Sequence, residues 1–304
     1  MINLKNDDNN SKIPDKQKSQ LINRLVQTIV DFVVIAIIFS IFLIVYYKVE
    51  PKIQYFTCDE SDIFMPYKDD TIPFWAVVLY ATIGPIIFII IIELINAKIQ
   101  PFRKNSKEKL KKFLICFLHG LSLFVLGIVI TLLLTEIGKR WVGRLRPHFI
   151  DVCKPDLTLI ECSISTMKGQ VFKPINTGDT FCTVDKKIVE RARKSFPSGH
   201  SSYSWYSMTF LIIYLEARLF LLRLRFIKPL IQMTAFIAAF ITAMSRISDY
   251  HHRESDVIGG IMLGVVIALA ITLFIGRVIW DYEIEKPYAD FDLKPLVKDT
   301  DSFE

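Results

Sequence analysis

Six apolar blocks, each about as long as a helix that crosses a bilayer, divide this chain of 304 residues. They are Leu25–Tyr47, Pro73–Asn96, Leu110–Thr135, Ser204–Leu222, Phe226–Ile247 and Val257–Trp280. The apolar residues come in unbroken blocks rather than at a helical or strand period, which excludes a pair of soluble domains. Hydrophobic residues make up 52% of the chain, high for a soluble domain and ordinary for a membrane protein. The expected fold is an all-α, polytopic membrane protein with six transmembrane helices. The first block is too long, and starts too late, for a cleaved signal peptide, so it is read as a retained span. The fourth and fifth blocks are joined by "EARLFLLRLRFIKP", where charges and apolar residues mix and blur the boundary. The division is then a polar tail at 1–24, a six-span body at 25–280 and a second polar tail at 281–304.

Charge sets the orientation. Lys5, Lys12, Lys16, Lys18 and Arg24 precede the first block. Lys98, Arg103, Lys104, Lys107, Lys109, Lys111 and Lys112 fill the second connection, and Arg218, Arg223, Arg225 and Lys228 the fourth. With six spans these segments share one side with the C-terminal tail, which the positive-inside rule makes cytosolic. The acid-rich first connection (Glu50, Asp59, Glu60, Asp62, Asp69, Asp70) and the third, from Glu136 to Tyr203, then lie outside. The third is itself basic, which runs against the rule, although long loops weigh little in it. The net charge of +6 needs no nucleic-acid partner, because basic loops facing anionic lipid account for much of it. Four of the five cysteines, Cys58, Cys153, Cys162 and Cys182, fall in the outer segments and suggest one or two disulfides, with the pairing open. Cys116 lies inside the third block and reads as a core residue.

Three charged clusters share the outer side. They are "KRWVGRLRP" (139–147), "KSFPSGHSS" (194–202) and "SRISDYHHRESD" (245–256). Lys139, Arg146 and Arg246 are cations from separate clusters, and a phosphate dianion is the natural object for them to surround. In "PSGH", 197–200, Pro197 restricts the backbone, Ser198 can cap a helix and Gly199 lets amides approach an anion. His200 sits at that helix start. His252 has Asp256 four residues on, which puts both on one helix face; the carboxylate can fix the ring's tautomer and leave the other nitrogen free to attack. His251, five residues from Asp256, is expected to face elsewhere. Taken singly, flanking Arg and Lys are interface anchors and a lone His is structural; His148, His119 and Glu93 are read that way. The joint pattern is what points to chemistry.

That pattern resembles the lipid phosphate phosphatases, the integral-membrane branch of the type 2 phosphatidate phosphatase superfamily, which is similar at its site to the vanadium haloperoxidases. The family pattern is K-x6-RP, PSGH and SR-x5-H-x3-D. Lys139 with Arg146-Pro147, then Pro197 to His200, then Ser245-Arg246 with His252 and Asp256 match it at the family spacing. The resemblance covers Leu25 to Trp280 and neither tail. Two departures are Arg253 and Glu254, where a bulky aromatic is common, and Glu161 before Cys162-Ser163, where relatives often carry a glycosylation asparagine. The resemblance implies a helical bundle of the phosphatidate phosphatase/haloperoxidase type, with His252 as nucleophile, Asp256 orienting it and His200 as acid and base. Lys139, Arg146, Ser198, Gly199 and Arg246 would bind phosphate, with no cofactor and no metal. Implied substrates are phosphatidate, lysophosphatidate, sphingosine 1-phosphate and ceramide 1-phosphate, taken from the lipid bilayer. The resemblance also allows a homo-oligomer, and a plasma membrane, endoplasmic reticulum or Golgi location. Two other classes are weighed. A non-catalytic lipid-phosphate binder or transporter is opposed by the intact histidines, and a vanadate-dependent peroxidase by six spans.

Overall fold

A computed structural model describes residues 15–54, 56, 57, 60–99, 106–155, 171, 172, 182–219 and 226–275. Helix α1 is Asp15–Lys48, and the short α2, Phe74–Val78, runs through one π turn, Leu79–Ile83, into α3, Gly84–Ile99. Pro85 accounts for the wide turn, because it has no N–H to offer the carbonyl of Ala81. Next come α4, Ser106–Val142, and the short α5, Phe149–Cys153, and α6, Lys186–Ala192. The bundle closes with α7, Gly199–Arg218, α8, Ile227–Ser248, and α9, Glu254–Ala270, which ends in a second π turn, Ile271–Ile275. A two-residue ribbon, β1 (Phe56–Thr57) antiparallel to β2 (Val171–Phe172), is the one sheet among the described residues.

Among the described residues, five stretches are long and apolar enough to cross a membrane: Val26–Lys48, Phe74–Lys98, Lys109–Val142, Ile227–Ser248 and Glu254–Ile275. They coincide with five of the six blocks. The helix of the fourth block is α7, which starts at Gly199 rather than Ser204 and is not one of these five. The reason is its position. α7 packs against α3, α4, α8 and α9, and most of its side chains are buried in protein rather than turned to lipid. Ser201, Ser202, Ser204 and Ser207 are all buried on it. α1, by contrast, is almost bare and exposes its apolar face.

Small residues let α7 sit so deep. A Cβ on Gly264 of α9 would lie 2.4 Å from the Ser202 carbonyl oxygen and 2.7 Å from the Tyr206 nitrogen. One turn earlier, a Cβ on Gly260 would lie 2.6 Å from the Ser198 carbonyl oxygen. This is the small-xxx-small packing by which membrane helices bring their backbones together. At the far end of α7, Arg218 donates to both carboxylate oxygens of Glu93 on α3, at 2.9 and 2.7 Å, and Tyr214 donates to Glu93 Oε1 at 2.7 Å. Glu93 is thus half of a buried ion pair, which fits its structural reading.

At the other end the connections form a cap. Gly143 closes α4 with φ 64°, and a Cβ there would lie 1.8 Å from the Lys52 carbonyl oxygen, so only glycine fits. Arg140 turns its guanidinium onto the carbonyls of Tyr46 and Val49 and fastens the end of α1. A small second core (Phe56, Ile63, Leu145, Phe149, Cys153, Val189, Ala192) lies under these loops. A disulfide joins Cys153 to Cys182, 29 residues apart, and closing a loop of that length stabilises by roughly 3–4 kcal/mol in the chain-entropy account. Cys58 and Cys162 lie outside the described residues, as do the chain before residue 15 and the last part of the sixth block with the C-terminal tail. Cys116 is within α4, half-buried.

The α7–α9 contact can be tested with one methyl group. Gly264→Ala forces backbone apart and should cost about 1–3 kcal/mol. Gly84→Ala, where nothing lies within 4 Å of the new Cβ, should leave stability unchanged or raise it by about 0.5–1 kcal/mol. Thermal unfolding of both variants in the same detergent checks the contrast.

Candidate active site

Three helix ends converge at the capped end of the bundle: the end of α4, the start of α7, and the turn from α8 into α9. All eight residues singled out in the sequence lie there. Ser198 caps α7, its hydroxyl oxygen accepting from the Ser201 amide at 3.4 Å and the Ser201 hydroxyl at 3.0 Å. Its own amide donates to the Asp256 carbonyl at 3.0 Å, so Ser198 welds α7 to α9. Gly199 comes next, and its missing side chain leaves room for Lys139, whose Nζ would be 3.1 Å from a Cβ there. Lys139 also donates to Glu136 at 2.8 Å.

The turn between α8 and α9 is built on one carbonyl. Tyr250 takes a left-handed conformation, φ 56°, which costs a non-glycine residue roughly 1–2 kcal/mol. In return the amides of His251 and His252 both reach the Arg246 carbonyl, at 3.1 and 3.2 Å. α9 then opens with Asp256 in its first turn, whose carboxylate accepts from the Arg253 amide at 3.0 Å.

The sequence spacing placed Asp256 and His252 on one face, and they are neighbours, but the carboxylate is 4.0 Å from His252 Nδ1. Ser195 stands between them. Its hydroxyl donates to Asp256 Oδ2 at 2.6 Å and lies 3.4 Å from His252 Nδ1. A hydroxyl has one proton, and the short contact assigns it to the carboxylate. The serine oxygen can then accept from Nδ1–H, which leaves Nε2 of His252 with its lone pair. The other Asp256 oxygen accepts from Arg144 Nη1 at 2.7 Å. Neither Ser195 nor Arg144 was singled out from the sequence. Both lie inside the quoted clusters, and Arg144 is two residues before Arg146 in the irregular stretch that follows α4.

His252 is buried, and burial, together with the charges of Arg146, Lys139, His200 and His251, holds its proton affinity well below the ordinary value. Its ring is neutral at pH 7, the state a nucleophile needs. Burial also lowers Arg146, to about 10, so it stays charged at pH 7. Arg246 is 1% exposed and holds the Asp249 carboxylate at 3.0 Å, the Ile72 carbonyl at 3.1 Å and, with Nη1, the Asp70 carboxylate. His200 Nε2 is 3.5 Å from that same Nη1, and its ring packs edge-on against Phe74.

His251, expected to face elsewhere than Asp256, makes its contacts with other members of the same cluster. Its Nδ1 is 3.4 Å from Arg146 Nη1 and its Nε2 is 3.2 Å from Asp70. Burial lowers its proton affinity, and the Arg146 charge adds to that effect. His148 packs edge-on against it. Burial and the neighbouring charges of Arg146 and His251 take His148 down to about 4, so the neutral ring's Nδ1–H donates to the Tyr250 carbonyl at 2.9 Å. Asp249 could have been found from its i, i+3 spacing to Arg246. Asp70 carries no local signal, since it meets Arg246 from 176 residues away.

Comparison with known proteins places this chain in a family. Residues 120–280 match the model of the PAP2 superfamily. Phospholipid phosphatase 1 of Rattus norvegicus is 33% identical over 72% of this chain and 73% of its own length. Phospholipid phosphatase 1 of Mus musculus is 31% identical over 81% of this chain and 83% of its own. Phospholipid phosphatase 2 of Homo sapiens is 31% identical over 72% of each. No solved structure matches the chain. With five helices long and apolar enough to span a bilayer and relatives of this kind over most of its length, the chain is an integral membrane protein that belongs to the PAP2 superfamily, in its phospholipid phosphatase family.

Proposed function

We propose that this protein is a lipid phosphate phosphohydrolase that works through a phosphohistidine without a metal ion. The observation that carries the reading is a neutral, buried His252 held through Ser195 by Asp256, with the charges of Arg146 and Lys139 acting on it and Arg246 beside His200. The names of its relatives support the substrate class. Lys139, Arg146 and Arg246 hold the phosphoryl oxygens, Arg246 at its fork, with the start of α7 at Gly199 adding backbone amides. Nε2 of His252 gives its lone pair to phosphorus as the bond to the lipid oxygen breaks. The departing oxygen takes a proton from His200. The imidazolium of His252 keeps its Nδ1 proton and donates it to the Ser195 oxygen, whose own O–H remains donated to Asp256. Water then gives a proton to His200 and attacks phosphorus, the P–N bond breaks, and phosphate and neutral His252 are released.

The substrate range is that of phosphatidate, lysophosphatidate, sphingosine 1-phosphate and ceramide 1-phosphate, whose tails stay in lipid while the headgroup meets the cap. α7 serves as a sixth span, buried among the others, so that both tails are cytosolic and the site faces outside or a lumen. The protein then works at the plasma membrane, endoplasmic reticulum or Golgi. The purified chain in detergent, tested on a panel of these lipids with EDTA present, should release phosphate; no release from any of them removes the reading.

Histidine variants separate the two neighbours. His252→Ala should abolish turnover and the acid-labile phosphoenzyme trapped from labelled substrate. His251→Ala should still form that phosphoenzyme, with a higher KM, because it borders Arg146 and does not reach Asp256. Equal loss of the intermediate in both would reassign the nucleophile.

Ser195→Ala tests the link to Asp256. It leaves the carboxylate short of one donor and the ring unanchored, so kcat should fall about ten- to a hundredfold, as when an outer partner of a reacting group is lost. Phosphate affinity should hold. Ser195→Thr, which keeps the hydroxyl, should recover part of kcat. A change confined to KM would show that Ser195 only packs.

The cradle predicts insensitivity to EDTA and competitive inhibition by vanadate, which takes the five-coordinate geometry of phosphoryl transfer. Arg246→Ala should lose at least about 3–4 kcal/mol of transition-state stabilisation, roughly a hundred- to a thousandfold in rate, and Arg246→Lys should recover little. Activity abolished by EDTA and restored by magnesium would overturn the metal-free mechanism.

A further inference from the structure

The first external connection reaches over the site as a strap. The Met65 amide donates to the Pro147 carbonyl at 2.9 Å and the Tyr67 amide to Asp151 at 2.7 Å. The ring of Tyr67 packs edge-on against His148 and His251. Thr71 fixes the strap's end on Asp249, through its amide at 2.8 Å and its hydroxyl at 2.6 Å. Between these anchors Asp70 points its carboxylate inward, onto Arg246 Nη1 and towards His251 Nε2 at 3.2 Å.

Two carboxylates thus share Arg246, and they are not alike. Asp249 is fully buried and takes two donors from Thr71 besides the guanidinium, so it is a fixed counter-ion. Asp70 is 39% exposed at its side chain and sits on the water-facing side of the arginine. Burial alone would raise its carboxyl, but the Arg246 hydrogen bond and charge, with the charges of His251 and His200, outweigh that and keep it ionised. An anion with oxygen ligands on Arg246 and beside His200 is what the phosphate reading asks of a substrate, and Asp70 already supplies one there.

We propose that Asp70 competes with phosphate for Arg246 and so keeps the site's hold on free phosphate weak. This rests on the reading of the cluster as a phosphate site. A phosphoryl group and the Asp70 carboxylate repel, and both need the same donors, so phosphate binds only by turning the carboxylate out. Thr71 keeps the strap in place while that side chain moves. A lipid phosphate meets this cost with contacts to the rest of its molecule. Inorganic phosphate has no such contacts. The same cost falls on both, so it leaves free phosphate, with no other contacts, weakly bound and helps to expel the product.

The test compares wild type with Asp70→Asn, which keeps the shape and removes the charge, in purified full-length protein. Binding of inorganic phosphate is read by calorimetry, and its inhibition constant against a short-chain lipid phosphate by initial rates. Asp70→Asn should bind phosphate about tenfold more tightly or better. Its KM should fall as well, and its kcat should not rise, because product leaves more slowly. Asp70→Ser should behave alike and guards against a folding artefact of one variant. Asp69→Asn, an exposed carboxylate on the same strap, should stay within about twofold of wild type, since solvent and salt screen it. Phosphate affinity that is unchanged or weaker in both Asp70 variants overturns the proposal. So does an equal gain in Asp69→Asn, which would reduce the effect to general charge. Binding is measured without turnover, so if wild type hydrolysed no lipid phosphate the enzymatic reading would fall while this comparison still decided for or against competition.

Discussion

Asp256 is wholly buried, and a carboxylate in such a place is tolerable only when donors engage its lone pairs. Three side chain or backbone groups supply them: Arg144 on one oxygen, Ser195 and the Arg253 amide on the other. The backbone carbonyl of the same residue takes the Ser198 amide. The four partners come from the loop after α4, the turn before α7 and the turn before α9. One residue therefore fixes the relative position of every segment that carries the site, and removing its charge would weaken the hold on three donors at once. The histidine that Asp256 serves is positioned as a by-product of this junction. Orientation of the ring and assembly of the cap are the same set of hydrogen bonds.

Electrostatics follows from that assembly. Lys139, Arg146 and Arg246 would repel one another if they were left alone near a low-dielectric bundle. Each has an acid at hand: Glu136 beside Lys139, Asp70 among the groups that hold the charge of Arg146, and Asp249 with Asp70 on Arg246. The cations are thus paired sideways or backwards, and the net field at His252 still disfavours a proton on its ring. On the proposed function, a dianionic headgroup entering there would meet a positive field whose cost has been met within the fold, which is how preorganised polar sites gain over water.

Much of this was readable in the chain, and the failures have physical reasons. Apolar blocks report where lipid will be, so five of them gave helices at nearly the expected places. α7 is surrounded by helices, so its serines and tyrosines tell of packing and not of solvent, and hydropathy set its start at Ser204 when the helix begins at Gly199. The motif spacings identified His200, Arg246, His252 and Asp256 because each lies within a turn or two of its own motif. Ser195 and Arg144 sat in the same quoted words, yet their partner Asp256 is 61 and 112 residues away. Asp70 and the pairing of Cys153 with Cys182 are wholly questions of tertiary contact, which no local pattern reports.

The serine-rich interior of α7 has a consequence for biogenesis. A helix that passes from the translocon into lipid alone must be apolar on every side, and α7 is not. Its closest neighbour in the fold is α9, which is synthesised later, and the glycines that receive its backbone, Gly260 and Gly264, lie there. On the reading of α7 as a span, it packs fully only once α9 has been made. The synthesis of α9 is then the step that brings Ser198 onto Asp256. A chain truncated before α9 would present a partly polar helix to the bilayer, which is the kind of defect that membrane quality control removes.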